Sequence, residues 1–218
     1  QCKIRISDVG GVATDASDDW FSIHEPPKTL TVIAPNGGEQ WETGSTHDIS
    51  WQSNAGGDVK IELVKSGAIE SIVAANTQND GRYTWTVANT LDETSTYRVQ
   101  ITSVSYPEAT DYSDNFFSIL KPASITVTSP NGGEQWQAGS QHNIMWTHHR
   151  VGSQVKIEHT VNGQSWSVIA ANAPNGGVYV WTLPDINSAT CKVRITDSDG
   201  SPGDESDASF SIIKEENK

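Results

Sequence analysis

Leu30–Trp51 reads LTVIAPNGGEQWETGSTHDISW, and Ile125–Trp146 reads ITVTSPNGGEQWQAGSQHNIMW. The two stretches match at an offset of 95 residues, and the match continues downstream. Val-Lys-Ile-Glu begins at Val59 and again at Val155, and GRYTW ending at Trp85 answers GVYVW ending at Trp181. YRVQIT (Tyr97–Thr102) answers CKVRIT (Cys191–Thr196), and NFFSI ending at Ile119 answers ASFSI ending at Ile212. A long period that covers most of a chain marks a tandem array. The opening residues fit only the closing part of a repeat, because CKIRIS (Cys2–Ser7) and DWFSI (Asp19–Ile23) reproduce its last two segments in order. Residues 1–25 therefore read as the closing hairpin of an incomplete repeat, 28–120 and 123–213 as complete repeats, and 214–218 as a polar tail.

Within a repeat the apolar residues alternate with period two, as half-buried strands require. His47, Ile49 and Trp51 share one face; Tyr97, Val99 and Ile101 share another, as do Phe117 and Ile119. Turn residues punctuate these runs at Pro35-Asn36-Gly37-Gly38, Asn54 to Gly57, Ser66-Gly67, Asn79-Asp80-Gly81 and Tyr106-Pro107. No helical stripe is present. Seven or eight short strands per repeat predict an all-β fold: tandem immunoglobulin/fibronectin-III-like β-sandwiches preceded by a partial repeat. The joining segments, 24–28 and 120–123, carry prolines that predict a semi-rigid array.

The chain has 218 residues and a net charge of −13, which argues against nucleic acid as a partner, since that binding rests on clustered Lys and Arg. No apolar run approaches the roughly 18 residues of a membrane helix, so no membrane insertion is expected.

The string Ala/Ser-Pro-Asn-Gly-Gly-Glu-x-Trp, then Ile-x-Trp, Val-Lys-Ile-Glu, Ala-Ala-Asn, Gly-x-Tyr-x-Trp and a closing Phe-Ser-Ile resembles one known family. It is similar to the Ser-Thr-rich, Kre9-like domain, named for fungal cell-wall glucan-assembly proteins and found in tandem in large secreted bacterial and archaeal surface proteins. The resemblance spans both complete repeats and the partial one. It implies an immunoglobulin-like extracellular repeat, secreted or at the cell surface, with no catalytic residues to carry over. The chain lacks the long Ser/Thr tract of the fungal members, so no lipid anchor is expected. Leu91 with Tyr97 looks like the tyrosine corner of fibronectin type III domains, but Cys191 stands in place of Tyr97 in the last repeat.

Trp51, Trp146, Trp85 and Trp181 read as core, and Trp41 and Trp136 as caps at the sandwich end. Trp166 corresponds to Glu70, and Trp20 to Phe116 and Ser209, so these two read as solvent-facing. With Tyr106 and Tyr112 they are the candidate contacts to a glycan or surface partner. His47 and His142 recur without an accompanying nucleophile or acid, and read as histidines hydrogen-bonded to a loop. His148 and His149 read as loop or edge residues. The acidic runs at Asp15 and Asp18, Asp111 and Asp114, and Asp204 and Asp207 have oxygen donors suited to calcium, although their spacing matches no EF-hand loop. A solvated turn capped by side-chain-to-backbone bonds is the leading reading of these runs, and calcium is the alternative.

No enzymatic activity is expected, and a structural repeat is the leading reading, with a binding module as its alternative. Cys2 and Cys191 occupy the same inward position in different repeats, so no disulfide joins them and both are expected to be buried. The apolar face of residues 1–25 needs a cover. The remainder of a longer repeat protein or another chain could complete the hairpin, or the hairpin could lean on the Pro26-Pro27 linker and its neighbour.

Overall fold

The computed structural model of the chain describes residues 1–215, so most of the polar tail expected at 214–218 lies outside the described residues. These residues form two compact units divided between Leu120 and Lys121. The first opens with a hairpin of β1 (Arg5–Ser7) and β2 (Thr14–Ala16), antiparallel, with Cys2 and Phe21 bridged beyond their ends.

The first sandwich comprises β3 (Leu30–Ala34), β4 (Gln40–Glu42), β5 (Thr46–Ser53), β6 (Asp58–Lys65), β7 (Ala68–Gln78), β8 (Arg82–Thr86), β9 (Thr94–Ser103), β10 (Thr110–Tyr112) and β11 (Phe117–Leu120). One sheet has the order β3-β5-β8 and the other β4-β11-β9-β6-β7, with β10 also paired to β9. Every pairing is antiparallel except that of β4 with β11. The second sandwich repeats this with β12 (Ser124–Ser129), β13 (Gln135–Gln137), β14 (Gln141–His149), β15 (Gln154–Thr160), β16 (Trp166–Pro174), β17 (Val178–Thr182), β18 (Ser188–Asp197), β19 (Gly203–Glu205) and β20 (Phe210–Ile213). Its sheets run β12-β14-β17 and β13-β20-β18-β15-β16, with β19 beside β18. The fold is all-β, two immunoglobulin- or fibronectin-III-like sandwiches preceded by a small hairpin.

Each sandwich has nine strands, where the turn spacing predicts seven or eight. The surplus comes from division at both ends. The first strand stops at a proline, Pro35 or Pro130, which has no N–H to continue the ladder. The chain then crosses to the opposite sheet and resumes as β4 or β13. The closing strand is divided too, into β10 and β11 or β19 and β20, but both parts stay beside the same strand, β9 or β18.

Each core is its own. In the first, Ile49, Trp51, Ile61, Val99, Ile101, Phe117 and Ile119 pack together; in the second, Ile144, Trp146, Ile157, Val193, Ile195, Phe210 and Ile212 do. Burying each such aliphatic or Phe side chain is worth about 1.5–3 kcal/mol, which is why the period-two pattern fixes the strand faces. The tyrosine corner is present where expected: Tyr97 is buried and its hydroxyl donates to the Asp92 carbonyl at 3.1 Å.

Three expectations need correction. Both cysteines are free and Cys191 is buried, but Cys2 is only half-buried, because no strand among the described residues covers the inner face of the hairpin. The hairpin does not lean on its neighbour for cover, since Ile4, Ile6 and Ile23 are all exposed. His148 and His149 end β14, the central strand of its sheet, and are paired there with Ile125 and Ser124.

Candidate functional site

The repeated Asn-Gly-Gly-Glu stretch folds back on itself. Glu39 accepts from the backbone N–H groups of Asn36 and Gly37, both at 2.8 Å, and Glu134 accepts from those of Asn131 and Gly132 at 2.7 and 2.8 Å. Gly37 and Gly132 have φ of 132° and 131°, and a Cβ on either would come within 2.4 Å of Asn115 Cβ or 2.5 Å of Ala208 Cβ. Only glycine fits there.

The recurring aspartates reach back to this stretch. Asn36 Nδ2 donates to Asp114 at 2.8 Å while the Asp114 N–H donates to Asn36 Oδ1 at 2.6 Å; Asn131 and Asp207 repeat the pair at 2.8 and 2.7 Å. Asp111 accepts from the Val32 N–H and Asp204 from the Val127 N–H, each at 2.8 Å. Between each pair of aspartates sits a buried serine. Ser113 accepts from the Val99 N–H at 2.9 Å; Ser206 accepts from the Val193 N–H at 3.0 Å and donates to the Pro130 carbonyl at 2.7 Å. Opening strands are thus tied to closing strands. Among the described residues no group of three His, Cys, Asp or Glu side chains converges on a metal position.

The recurring histidines lie flat against tryptophans. His47 stacks on Trp41 with centroids 4.5 Å apart, and His142 on Trp136 at 4.3 Å. Their Nε2 atoms meet Ser45 Oγ at 2.8 Å and Ser140 Oγ at 3.0 Å, which gives each pair the look of a nucleophile and its base. The protons run the other way. Each serine donates its one proton to a backbone carbonyl, of Glu42 or Gln137, at 2.5 Å, so the histidine Nε2 must be the donor and cannot remove it. Trp51 and Trp146 are core, with indole N–H groups donating to Asn79 at 2.6 Å and Asn175 at 2.8 Å.

The aromatic candidates are dispersed. Trp20 is exposed, with Lys3 Nζ 5.4 Å from its ring centre, while Tyr106 has Lys28 Nζ at 5.5 Å. One face of Trp166 is covered by the Arg194 guanidinium at 4.3 Å. Arg194 is in turn held by Glu158, which accepts from its Nε at 3.1 Å and its Nη2 at 2.7 Å and from Lys156 Nζ at 2.6 Å. Burial pushes the Glu158 carboxyl up, but these cations outweigh it and hold the group below its ordinary range. Tyr112 lines a cleft of about 320 Å³ with Val64, Gly67, Arg98 and Phe116. There the Arg98 guanidinium lies 4.5 Å from the Phe116 ring, and its Nε is buried without a hydrogen-bond partner. The corresponding residues of the second sandwich, Lys192 and Glu205, form an ion pair at 3.1 Å. Sequence reasoning found Tyr112 but missed Arg98 and Phe116; the loss of that lysine–glutamate pairing between repeats was the available signal.

Residues 34–117 match the Kre9/KNH-like N-terminal Ig-like domain. No curated protein matches the sequence. Among solved structures the chain is similar to fibronectin(III)-like modules of Clostridium thermocellum CbhA, at 18% identity and a TM-score of 0.31, over 87% of this chain and 98% of that one. It is also similar to the two immunoglobulin domains of DIP-gamma, at 10% identity and a TM-score of 0.47, over 87% and 99%. A three-immunoglobulin segment of titin aligns at 9% identity and a TM-score of 0.49, over 87% of this chain and 66% of that one. The fold rests on the strand order above, not on these likenesses.

Proposed function

We propose that the chain is a non-enzymatic structural segment, a stalk, fibre or surface-layer spacer, of a longer extracellular or cell-surface protein. One observation carries this: the polar side chains that recur between repeats are turned toward their own backbone. Asn36, Glu39, Asp111 and Asp114, and their counterparts Asn131, Glu134, Asp204 and Asp207, fasten opening strands to closing strands. A repeat selected for chemistry would instead present its recurring polar groups to solvent. The serine–histidine pairs support the same reading, because their protons are placed for structure. The likeness of residues 34–117 to a domain typical of cell-wall and secreted proteins supports the location.

Single-molecule stretching of the full chain tests the proposal. Two separate force peaks are expected, each releasing about 300 Å of chain, since a residue spans at most about 3.3–3.6 Å when extended. Smooth extension without peaks refutes a load-bearing role.

A second reading, binding of a glycan or surface partner, is favoured by the cleft around Tyr112. An unpaired guanidinium beside the exposed Phe116 ring, in a cleft that Tyr112 also lines, suits a ligand that offers both a carboxylate and an apolar face, as a uronic acid does. Titration with uronate and neutral oligosaccharides decides it: saturable uronate binding lost in Arg98→Gln and Tyr112→Ala supports this reading, and silence with both sugars rejects it.

A further inference from the structure

The hairpin of residues 1–23 matches the closing hairpin of the second sandwich residue for residue. Cys2, Lys3, Ile4, Arg5 and Ile6 correspond to Cys191, Lys192, Val193, Arg194 and Ile195, and Asp15, Ser17, Asp18, Phe21 and Ile23 to Asp204, Ser206, Asp207, Phe210 and Ile212, with no insertion between. The pairing is the same too. Arg5 faces Ala16, Ile6 faces Asp15 and Ser7 faces Thr14, as Arg194 faces Glu205, Ile195 faces Asp204 and Thr196 faces Gly203. Cys2 is bridged to Phe21 as Cys191 is paired with Phe210. The serine keeps its place: the Ser17 N–H donates to the Ile4 carbonyl at 2.9 Å, as Ser206 does to Val193, and the Ile4 N–H donates to Ser17 Oγ at 3.3 Å.

Burial is what differs. Ile4, Ile6 and Ile23 are 60%, 72% and 77% exposed, whereas Val193, Ile195 and Ile212 are fully buried. The polar groups stand equally ready. Asp204 holds the Val127 N–H, Ser206 the Pro130 carbonyl, Asp207 the Asn131 amide and Arg194 the Glu158 carboxylate. All four partners lie in the opening part of the second sandwich, on β12, on β15 and in the turn that follows β12. Asp15, Ser17, Asp18 and Arg5 are the same groups facing no such strands.

We infer that the hairpin is a docking surface for the opening strands of a third repeat, joined directly ahead of Gln1. Its occupant carries X-Pro-Asn-Gly-Gly-Glu, whose asparagine pairs with Asp18 and whose preceding strand donates an N–H to Asp15. It also carries a Val-Lys-Ile-Glu strand whose glutamate pairs with Arg5. The covalent join follows from register: β18 begins at Ser188, three residues before Cys191, so the equivalent strand would begin within the occupant. A second copy of this chain is a poor occupant, because lending its opening strands would uncover its own closing hairpin. The inference rests on the chain being part of a longer array.

The test is a chain in which a copy of residues 123–189 is fused ahead of Gln1, restoring the register of Cys191. The copy brings no cysteine, so thiol labelling reads Cys2 against the buried Cys191. Cys2 is expected to label at least tenfold more slowly than in the 218-residue chain, and β1 and β2 amides to become protected from exchange. Asp18→Ala in the fused chain should lower the melting point of the new sandwich alone. A parallel fusion of residues 28–95 guards against a poorly matched opener. Unchanged Cys2 labelling in both fusions, with the two resident sandwiches melting normally, overturns the inference. The spacer reading fails on the absence of force peaks, a result this experiment does not touch.

Discussion

Replacing Ser206 by alanine removes one hydroxyl from the centre of the strand clamp and alters almost no volume. Ser206 is fully buried, accepts from the Val193 N–H at 3.0 Å and donates to the Pro130 carbonyl at 2.7 Å. Ser206→Ala leaves a donor and an acceptor without this partner. Each buried group so orphaned costs about 1–3 kcal/mol, so the loss is about 3 kcal/mol when local relaxation recovers part of it. For a domain of this size each kcal/mol moves the midpoint by roughly 4–8 °C, which predicts a fall of about 12–24 °C in the second sandwich. Ser113→Ala is the internal comparison. Ser113 accepts from the Val99 N–H at 2.9 Å, but its hydroxyl lies a long 3.5 Å from the Val99 carbonyl, so only one strong bond is lost. The first sandwich should therefore fall by about half as much, roughly 6–12 °C. Calorimetry of the full chain reads both, because the cores are separate and each variant should move one transition. A fall below about 4 °C for Ser206→Ala, or an equal or larger fall for Ser113→Ala, would refute the hydrogen-bond argument.

Gly37→Ala should destabilise the first sandwich by about 2 kcal/mol or more, because φ of 132° disfavours a side chain and the new Cβ would strike Asn115; an unchanged melting curve would show that the turn relaxes freely. Burial lowers the pKa of His159, against a smaller opposing backbone hydrogen bond at Ser167. The folded pKa is below the unfolded value of about 6.5, so stability is complete above that pH and is lost as pH falls through it toward the folded pKa. The loss is at most about 1.4 kcal/mol per pH unit, and less because the ring is only partly buried. Melting at pH 7.5 and 5.0 should show this sensitivity in the second sandwich and its reduction in His159→Leu, the residue found at position 63; equal acid sensitivity in the variant would exclude His159 as the source. Adding calcium or chelator should leave both midpoints in place, since Asp111, Asp114, Asp204 and Asp207 already bind their own backbone or asparagines, and a rise with calcium would reinstate the metal reading.

The sequence made the sheets legible because period-two burial is a local signal. Ile49 and Trp51, or Val99 and Ile101, sit two residues apart and must share a face wherever the strand lies. The clamp was legible only as recurrence, since Asn36 and Asp114 are far apart in the chain and nothing local to Thr-Asp-Tyr-Ser-Asp says what its carboxylates hold. A carboxylate bound to a strand N–H and one bound to calcium present the same letters. The number of strands was undercounted for a related reason: a proline stops a ladder, but the sequence does not say that the chain resumes on the opposite sheet. Comparison between repeats recovers some of what a single repeat conceals. Lys192 with Glu205 is an ion pair, and their replacement by Arg98 and Tyr112 marks a place where one sandwich left a cation uncompensated. The same comparison explains the hairpin: its sequence preserves the inner face, the aspartates and the arginine of a closed sandwich, although no strand among the described residues covers that face. Local hydrogen bonding suffices to set its register, whereas its burial depends on long-range partners, and the two can therefore be separated in one and the same segment.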